Sequence, residues 1–382
     1  MIPYGRQNIS AEDIAAVTAV LQSDCLTQGP QVPLFERNIC QITTAQYAVA
    51  ANSATSMLHL ACLALGVGAG DYVWTSPITF VASANCALYC GGEIDFVDVD
   101  RHTGNMCPKA LERKLKQAKA QNCLPKVLIP VHMAGHSCDM RVIWQLAQDY
   151  GVRVIEDASH GIGGSYLGSK IGACEYSDIT IFSFHPVKII TTAEGGVATT
   201  NDPAVAESMV LLRSHGITKT AEKLLRPDEG DWYYEQHELG FNYRMTELQA
   251  ALGNSQIKRL DSFVEQRNKL VMTYVAELKK LNVTSVVPLE NSYSAYHLMI
   301  VLLPESLDRK VVFDAMRAAN IFVHVHYFPV HLQPYYLNKG FAEHDFPEAE
   351  YFYQHCLTLP LFPDLTEQEQ AYIIDTLIGL LS

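Results

Sequence analysis

Two side chains near the middle of the chain have the types needed for one particular chemistry. Lys188 ends the segment Ser183-Phe184-His185-Pro186-Val187-Lys188, and Asp157 ends the apolar run Val154-Ile155-Glu156-Asp157. A lysine amine can form a Schiff base with a carbonyl compound, and a carboxylate can pair with a pyridinium nitrogen. Pyridoxal phosphate chemistry requires both groups. The pair therefore predicts an enzyme that uses this cofactor.

The phosphate of such a cofactor needs backbone amides and hydroxyl groups. The segment Asn52-Ser53-Ala54-Thr55-Ser56 follows a predicted strand and opens a predicted helix, and the N-terminus of a helix attracts phosphate. Ser183 stands at another predicted strand end and adds a hydroxyl. Ser and Thr are also common helix caps, so Ala54 and Thr55 alone would be a weak signal.

The pyridine ring needs a flat partner and a hydrogen bond to its oxygen. Phe80 follows a predicted strand and is a candidate for stacking on the ring. His160, just after Asp157, is a candidate for the ring oxygen. Phe80 alone would more often be a core residue, and His160 a buried histidine with its own partners. The combination is stronger, because all these sites fall at the same edge of one predicted sheet.

Short apolar strands alternate with helical patterns in the first half of the chain. We predict strands at Tyr47–Ala50, Tyr72–Trp74, Ile94–Val97, Val127–Pro130, Val152–Ile155, Ile179–Phe182 and Gly196–Thr199. This order favours a mostly parallel sheet that is covered by helices on both faces, which is an α/β fold. The last two strands flank the loop that carries Lys188.

The pattern changes after about residue 245. A helical pattern runs from Thr246 to about Leu281, and strands are predicted at His297–Leu303 and Ile321–Tyr327. We predict a large cofactor-binding domain over residues 1–250 and a smaller C-terminal α/β domain over residues 251–382.

Composition limits the classes of function. Of the 382 residues, 48% are hydrophobic and 18% are charged, which is typical of a soluble globular protein. The net charge of −13 disfavours binding to nucleic acid or to an anionic membrane. No apolar run is long enough to span a bilayer, and the N-terminus lacks the pattern of a signal peptide. We therefore expect a cytoplasmic protein without nucleic-acid or membrane partners.

Two other motifs have better explanations than a second cofactor. Gly66-Val67-Gly68-Ala69-Gly70 resembles a dinucleotide loop, but a predicted helix precedes it and a strand follows, which is the wrong order. His324 and His326 would share one face of a strand and raise the possibility of a metal site. Since no carboxylate or cysteine at ligand spacing joins them, we predict no metal.

Motifs spread over nearly the whole chain resemble one enzyme family. They are Leu26-Thr27-Gln28-Gly29-Pro30, Asn52 to Thr55, Pro77-Ile78-Thr79-Phe80-Val81-Ala82, Pro130 to Gly135, Glu156 to His160, Ser183 to Lys188, and Gly240-Phe241-Asn242-Tyr243-Arg244-Met245. In this order they are similar to the fold type I, pyridoxal-phosphate-dependent aminotransferases of nucleotide-linked sugars, the DegT family.

The resemblance implies a role for each matching residue. It implies that Lys188 is the Schiff-base lysine, Asp157 the acid at the pyridinium nitrogen, Phe80 the ring stacker, and His160 the contact to the ring oxygen in a place often held by glutamine. Ala54, Thr55 and Ser183 match phosphate contacts. Asn242 matches an asparagine that reaches the cofactor phosphate of the neighbouring subunit, which implies a homodimer with shared active sites.

A narrower resemblance concerns the substrate. Three segments, Tyr4-Gly5-Arg6-Gln7, Ser183 to Gly196 and Val325 to Tyr336, are similar to a subgroup that makes UDP-4-amino-4,6-dideoxy-N-acetyl-β-L-altrosamine, a precursor of pseudaminic acid. This likeness implies transfer of an amino group from L-glutamate to the C4 carbonyl of a UDP-linked 4-keto-6-deoxy-N-acetylhexosamine. The residues that would line the sugar-nucleotide pocket are Tyr4, Asp24, Cys25, Leu26, Thr27, Val325, His326, Tyr327 and Phe328.

Two departures from the family pattern and several alternatives stay open. Ala193 stands where the family often has glycine, so a tight turn there is expected to differ, and the hydrogen bond of His160 depends on its tautomer. Arg213 and Arg244 are candidates for binding the donor carboxylate.

The alternatives are an aminotransferase for another keto-sugar nucleotide, a sugar dehydratase, and a regulatory protein without catalysis. Dehydratases of the family carry histidine in place of the lysine, so Lys188 argues against that one.

Overall fold

The computed structural model describes residues 1–281 and 283–381. Its α-helices are α1 (Ala11–Leu21), α2 (Gln31–Thr43), α3 (Ala54–Ala64), α4 (Ala82–Tyr89), α5 (Pro108–Gln121), α6 (Met140–Tyr150), α7 (Pro203–Arg213), α8 (Glu247–Gln256), α9 (Leu260–Leu278), α10 (Arg309–Ala318), α11 (Pro334–Leu337), α12 (Pro347–His355) and α13 (Glu367–Leu381).

The strands are β1 (Tyr47–Ala51), β2 (Tyr72–Thr75), β3 (Glu93–Phe96), β4 (Val127–Ile129), β5 (Arg153–Asp157), β6 (Ser165–Tyr166), β7 (Ser169–Lys170), β8 (Ile179–Ser183), β9 (Gly196–Thr200), β10 (Ile217–Thr218), β11 (Glu235–Gln236), β12 (Thr284–Ser285), β13 (Ser292–Tyr293), β14 (Met299–Leu302) and β15 (Cys356–Leu359). The seven strands predicted between residues 47 and 199 are all present.

Those seven strands form one central sheet within the described residues, in the order β1-β9-β8-β5-β4-β2-β3. The strands β8, β5, β4, β2 and β3 are neighbours in that order, and each pair of neighbours is parallel. Strand β9 runs antiparallel to both of its neighbours, β1 and β8. The prediction of a mostly parallel sheet is confirmed. Because β1, β2, β5 and β8 all point the same way, their carboxyl ends meet at one edge.

Both faces of the central sheet are buried. On β5, Ile155 packs in a cluster that includes Met57 of α3, whereas its neighbour Val154 packs in another cluster with Leu111 of α5 and Ile143 of α6. Successive side chains of a strand point to opposite faces, so this division shows helices on both sides of the sheet. The arrangement explains why the strands read as continuous apolar runs.

A second core lies in the C-terminal part of the chain. The antiparallel strands β12, β14 and β15 form a sheet, and Tyr274, Met299, Leu357 and Ile373 are buried in its core. Ile2 from the N-terminus is buried in the same core. The division into residues 1–250 and 251–382 remains a proposal, to which the structure adds that α8 runs across residue 250.

Two predicted elements differ in the structure. The helical pattern from Thr246 to about Leu281 is divided into α8 and α9 by a 3-10 turn at Ile257–Arg259. The segment Ile321–Tyr327 forms no strand, since Ile321 bridges only to Ile2 and His324 only to Thr358. The residue pattern of this segment favours a strand, but no neighbouring segment pairs with it along its full length.

Within the described ranges, no helix combines the length and the apolar character needed to cross a membrane.

Candidate active site

A cavity of about 850 Å³ opens where the carboxyl ends of the parallel strands meet. Many of the predicted site residues line it, namely Tyr4, Ala54, Thr55, Phe80, Asp157, His160, Ser183, Lys188, His326 and Tyr327. They come from strand ends, helix starts and the extended segment after residue 320. The sheet edge therefore brings together residues that are far apart in the sequence.

The start of α3 forms the predicted phosphate-binding end of the cavity. Ser53 caps the helix, and its Oγ accepts the backbone N–H of Ser56 at 3.1 Å. Amides in the first turn of a helix have no partner within the helix, and the helix dipole favours negative charge there. Gly196 of β9 lies against this turn, and a Cβ at position 196 would come within 2.4 Å of the Ala54 nitrogen. The close approach explains the glycine that follows the Lys188 loop.

Lys188 projects into the cavity from the loop between β8 and β9. Burial lowers the pKa of its amine to about 8, and the nearby charge of Asp157 opposes this shift only in part. Its ammonium forms no salt bridge with a carboxylate in the described part of the chain. An amine of this kind is a free base far more often near neutral pH than an ordinary lysine, which suits a nucleophile and a proton carrier.

Ala193 adopts the conformation that glycine usually supplies. Its φ is 65°, in the left-handed region. The Oγ1 of Thr191 supports this turn, because it accepts the N–H of Ala193 at 2.9 Å and donates to the carbonyl of Phe184 at 2.9 Å. The turn at Ala193 is therefore a tight left-handed turn despite the side chain.

Asp157 faces the cavity with defined partners on both oxygens. Its Oδ2 accepts the hydroxyl proton of Ser83 at 2.6 Å, and its Oδ1 accepts the N–H of Ser159 at 3.1 Å. The side chain is 4% exposed. Each carboxylate oxygen has more than one acceptor position, so Asp157 can still take a hydrogen bond from a ligand.

The preceding residue, Glu156, points to the other face of the strand, where its carboxylate has hydrogen-bond partners within the core. Its Oε1 accepts from Ser177 at 2.6 Å and from Thr180 at 3.1 Å, and its Oε2 lies 2.7 Å from Nε2 of His132. Although burial raises the pKa of Glu156, these partners outweigh it and lower the pKa overall. Glu156 is thus occupied within the core, whereas Asp157 faces the cavity.

His160 contacts the C-terminal wall of the cavity. Its Nε2 lies 3.2 Å from the hydroxyl of Tyr327, and its Nδ1 has no partner among the described residues. Burial, with a contribution from the charge of Lys188, holds the pKa of His160 well below its ordinary value, so the ring is neutral. Burial also raises the pKa of Tyr327. The two side chains form a neutral pair that can donate or accept toward a ligand, depending on the tautomer.

Several predicted residues lie outside this cavity. Asp24 and Cys25 line a second cavity of about 740 Å³ between α1, α2 and α8. Leu26 is 48% exposed on the same loop as Thr27. Asn242 is exposed, and its backbone bridges to Ser214.

The remaining predicted residues do not line the cavity, and most of them contact other parts of the chain. Phe328 packs its ring against Tyr353, with the centroids 5.1 Å apart, and Val325 packs against the main core cluster. Arg213 donates to Glu36 at 2.7 Å and to the carbonyl of Ala50 at 2.6 Å. Neither Arg213 nor Arg244 lines the cavity in the single chain.

Sequence reasoning missed several polar residues on the cavity wall: Thr79, Ser83, Ser159, His185, Glu194 and Gln249. The positions of Thr79 and Ser83 could have been recognised from the sequence. They are four residues apart, on either side of Phe80, and this spacing places two hydroxyls on one face where a helix begins.

His324 and His326 lie with their ring centroids 4.6 Å apart at the rim of the cavity. Among the described residues, no group of three or more His, Cys, Asp or Glu side chains is arranged to hold a metal ion.

Comparison with known proteins identifies the family. The family model of the DegT/DnrJ/EryC1/StrS aminotransferases matches residues 7–378. The chain belongs to the DegT family. The resemblance noted in the sequence is therefore confirmed, together with the prediction of a pyridoxal-phosphate-dependent aminotransferase.

Relatives within the DegT family match over their full length. A UDP-4-amino-4,6-dideoxy-N-acetyl-β-L-altrosamine transaminase of Campylobacter jejuni is 37% identical, with 100% of this chain and 98% of the relative covered. The structure of PseC of Helicobacter pylori, an aminotransferase of pseudaminic acid biosynthesis, superimposes with a TM-score of 0.91 at 30% identity, over 100% and 99% of the two chains. The PLP form of Spr1654 of Streptococcus pneumoniae gives 0.90 at 29% identity, over 100% and 98%.

The cavity of this DegT-family chain fits pyridoxal phosphate. The amine of Lys188 and the carboxylate of Asp157 line the same space, and the start of α3 offers free amides to a phosphate. Phe80 is 58% exposed on the wall, which leaves its ring available for stacking. The volume also suits a pocket that holds a second molecule beside the cofactor.

Proposed function

We propose that this enzyme transfers the amino group of L-glutamate to the C4 carbonyl of a UDP-linked 4-keto-6-deoxy-N-acetylhexosamine. The product would be a 4-amino sugar nucleotide that serves as a precursor of pseudaminic acid. The observation that carries the proposal is the full-length similarity to the altrosamine transaminase and to PseC. The motif from Val325 to Tyr336 supports it, because part of that segment lines the cavity.

Residues of the sheet edge would carry out the proton transfers. Pyridoxal phosphate, when bound, supplies a carbonyl that condenses with amines and a ring that accepts electrons. Lys188, with a pKa of about 8, would move a proton from the α-carbon of glutamate to the C4′ carbon of the cofactor in the first half-reaction. In the second half-reaction it would move a proton from that carbon to C4 of the sugar. Asp157 would keep a proton on the ring nitrogen, and Ala54, Thr55 and Ser183 would bind the phosphate.

The C-terminal wall would bind the sugar nucleotide. The rings of Tyr4, His324 and His326 cluster at the cavity, with the centroids of Tyr4 and His326 5.4 Å apart. Nδ1 of His326 lies 2.9 Å from the hydroxyl of Thr358, which leaves Nε2 for a ligand. Flat rings with polar edges suit a nucleotide or a sugar.

We further propose a homodimer with shared active sites. Asn242 is exposed and lies off the cavity of its own chain, as a residue that serves the partner's cofactor must. Mixing Lys188→Ala chains with Asn242→Asp chains tests this. If each site takes Lys188 from one chain and Asn242 from the other, about one site in four regains activity. Unrestored activity in a mixture shown to contain mixed dimers would contradict shared sites.

A cytoplasmic location also remains a proposal. The described cysteines are free thiols, as expected in a reducing compartment. Cell fractionation tests this, and recovery of the enzyme outside the cytoplasm would contradict it.

The substrate is tested by direct assay of the purified holoenzyme. We expect amination at C4 when glutamate is supplied with a UDP-linked 4-keto-6-deoxy-N-acetylhexosamine, with the product identified by NMR and mass spectrometry. Both C5 epimers and a 3-keto sugar nucleotide serve as comparison substrates. Faster amination of the 3-keto compound, or of a sugar on another nucleotide, would replace this proposal with the alternative of a sister aminotransferase.

A further inference from the structure

Two buried hydroxyl groups form a chain that ends on the catalytic acid. Oγ1 of Thr79 lies 2.7 Å from Oγ of Ser83, and Oγ of Ser83 lies 2.6 Å from Oδ2 of Asp157. Thr79 is 3% exposed and Ser83 1%. The chain crosses 74 positions of sequence between Ser83 and Asp157, so the fold, and not local geometry, brings them together.

The direction of this chain follows from the chemistry of its end group. An ionised carboxylate only accepts hydrogen bonds, so Ser83 must donate its single hydroxyl proton to Asp157. The oxygen of Ser83 must then accept the proton of Thr79. The order Thr79 to Ser83 to Asp157 is therefore the one that satisfies all three groups.

We propose that Ser83, supported by Thr79, is a positioning residue for Asp157. Its hydroxyl donates to Oδ2 and fixes the orientation of the carboxylate, so that the remaining acceptor positions face the ring nitrogen of the cofactor. The inference rests on the role of Asp157 in the proposed function, but it is independent of the identity of the sugar.

The position of Ser83 also links two cofactor contacts. Phe80 lies between Thr79 and Ser83 at the start of α4, and the backbone N–H of Ser83 donates to the carbonyl of Phe80 at 3.2 Å. One turn of chain thus carries both the ring stacker and the hydroxyl that orients the acid. A shift of this turn would displace both contacts to the ring together.

A matched pair of serines makes the test specific. Ser177 donates to Glu156 at 2.6 Å, so it forms the same type of bond, at the same length, to the neighbouring residue of β5. That bond lies away from the cavity. Ser83→Ala and Ser177→Ala therefore remove equivalent hydrogen bonds that differ in whether the carboxylate faces the cofactor.

The first measurement is the limiting rate of the half-reaction between the holoenzyme and glutamate. The absorbance of the cofactor reports this rate in a single turnover. We expect Ser83→Ala to lower the limiting rate about tenfold, because a hydrogen bond to a charged group is lost. The glutamate dissociation constant should change less than twofold. Ser83→Thr should restore the rate, Thr79→Val should lower it less than Ser83→Ala, and Ser177→Ala should leave it within twofold.

The second measurement uses cofactor-free protein labelled with ¹³C-aspartate. The infrared band of the Asp157 carboxylate, assigned by its loss in Asp157→Asn, should shift in Ser83→Ala and return in Ser83→Thr. An unchanged band together with an unchanged limiting rate would overturn the proposal, as would an equal loss of rate in Ser177→Ala. Because neither measurement uses the sugar nucleotide, failure here is distinct from failure of the sugar assignment.

Discussion

The two walls of the cavity are built in different ways. Asp157 ends a strand that is paired in the central sheet, Lys188 lies in the loop between the paired strands β8 and β9, and Ser53 caps the start of α3. The opposite wall consists of Tyr4 and the segment 324–327, which belongs to no strand of the described chain and makes one isolated bridge, from His324 to Thr358. We assign to the sheet edge the groups that both substrates need, and to the less regular wall the groups that recognise one substrate.

The walls also differ in charge. Lys188 and Asp157 give the sheet edge a positive and a negative group. On the opposite wall, burial is the main cause that lowers the pKa of His326 and raises the pKa of Tyr327, so both are neutral at pH 7. Neutral donors and acceptors suit sugar hydroxyls, whereas proton transfer and electron withdrawal need the charged pair. The first two predictions address the sheet edge, the third the opposite wall, and the fourth the charge of Lys188.

Replacing Lys188 should have the largest effect. We expect Lys188→Ala to lower turnover by at least about 10³-fold, since both the covalent link to the cofactor and the proton carrier are lost. The absorbance of the lysine-bound cofactor should also disappear. Spectra and steady-state assays check this, and normal activity in the variant would contradict the assignment of Lys188.

Replacing the two neighbouring carboxylates should separate catalysis from stability. Asp157→Asn should slow the glutamate half-reaction about 10²-fold, because the ring nitrogen loses its charged partner. Glu156→Gln should leave that rate within about threefold and lower the free energy of unfolding by about 1–3 kcal/mol, because buried donors lose a charged acceptor. Single-turnover absorbance and urea unfolding measure the two effects, and similar rates in both variants would remove the distinction.

Changing the C-terminal wall should affect only the second substrate. We expect His326→Phe to raise the KM for the sugar nucleotide about tenfold, through loss of the hydrogen bond that Nε2 can offer. The glutamate half-reaction should stay within twofold. Steady-state kinetics with varied sugar nucleotide test this, with Tyr372→Phe as a control, since Tyr372 does not line the cavity and its hydroxyl donates to the carbonyl of Ala319. A parallel loss in both half-reactions would show that the walls do not divide their roles.

The pH dependence of cofactor capture should report the lowered pKa of Lys188. Below a pKa of about 8 the amine is mostly protonated and cannot attack a carbonyl, so the capture rate should rise with pH and level off above 8. The gain from pH 7 to pH 8 should be about fivefold. Stopped-flow absorbance of cofactor-free protein mixed with pyridoxal phosphate measures this. A rate that keeps rising to pH 10 would mean that the amine behaves like an ordinary lysine.

The sheet edge was much easier to predict from the sequence than the opposite wall. Lys188, Asp157 and Ala54 each lie beside a strand or helix start with a clear local signal, and parallel strands must end at a common edge. The segment Ile321–Tyr327 also has the alternation of a strand, yet it forms no ladder, since pairing depends on which chain lies beside it. Local pattern cannot supply that information.

The sequence by itself determined the cofactor and the mostly parallel sheet, and it placed the lysine and the acid that we propose to react at one edge of that sheet, because these depend on residue types and short-range periodicity. Only the tertiary structure decided which distant groups touch them. Tyr327 reaches His160 across 167 positions, and Ser83 reaches Asp157 across 74. Such contacts follow from the order of strands and the packing of segments around the cavity, and no local signal in the chain specifies them.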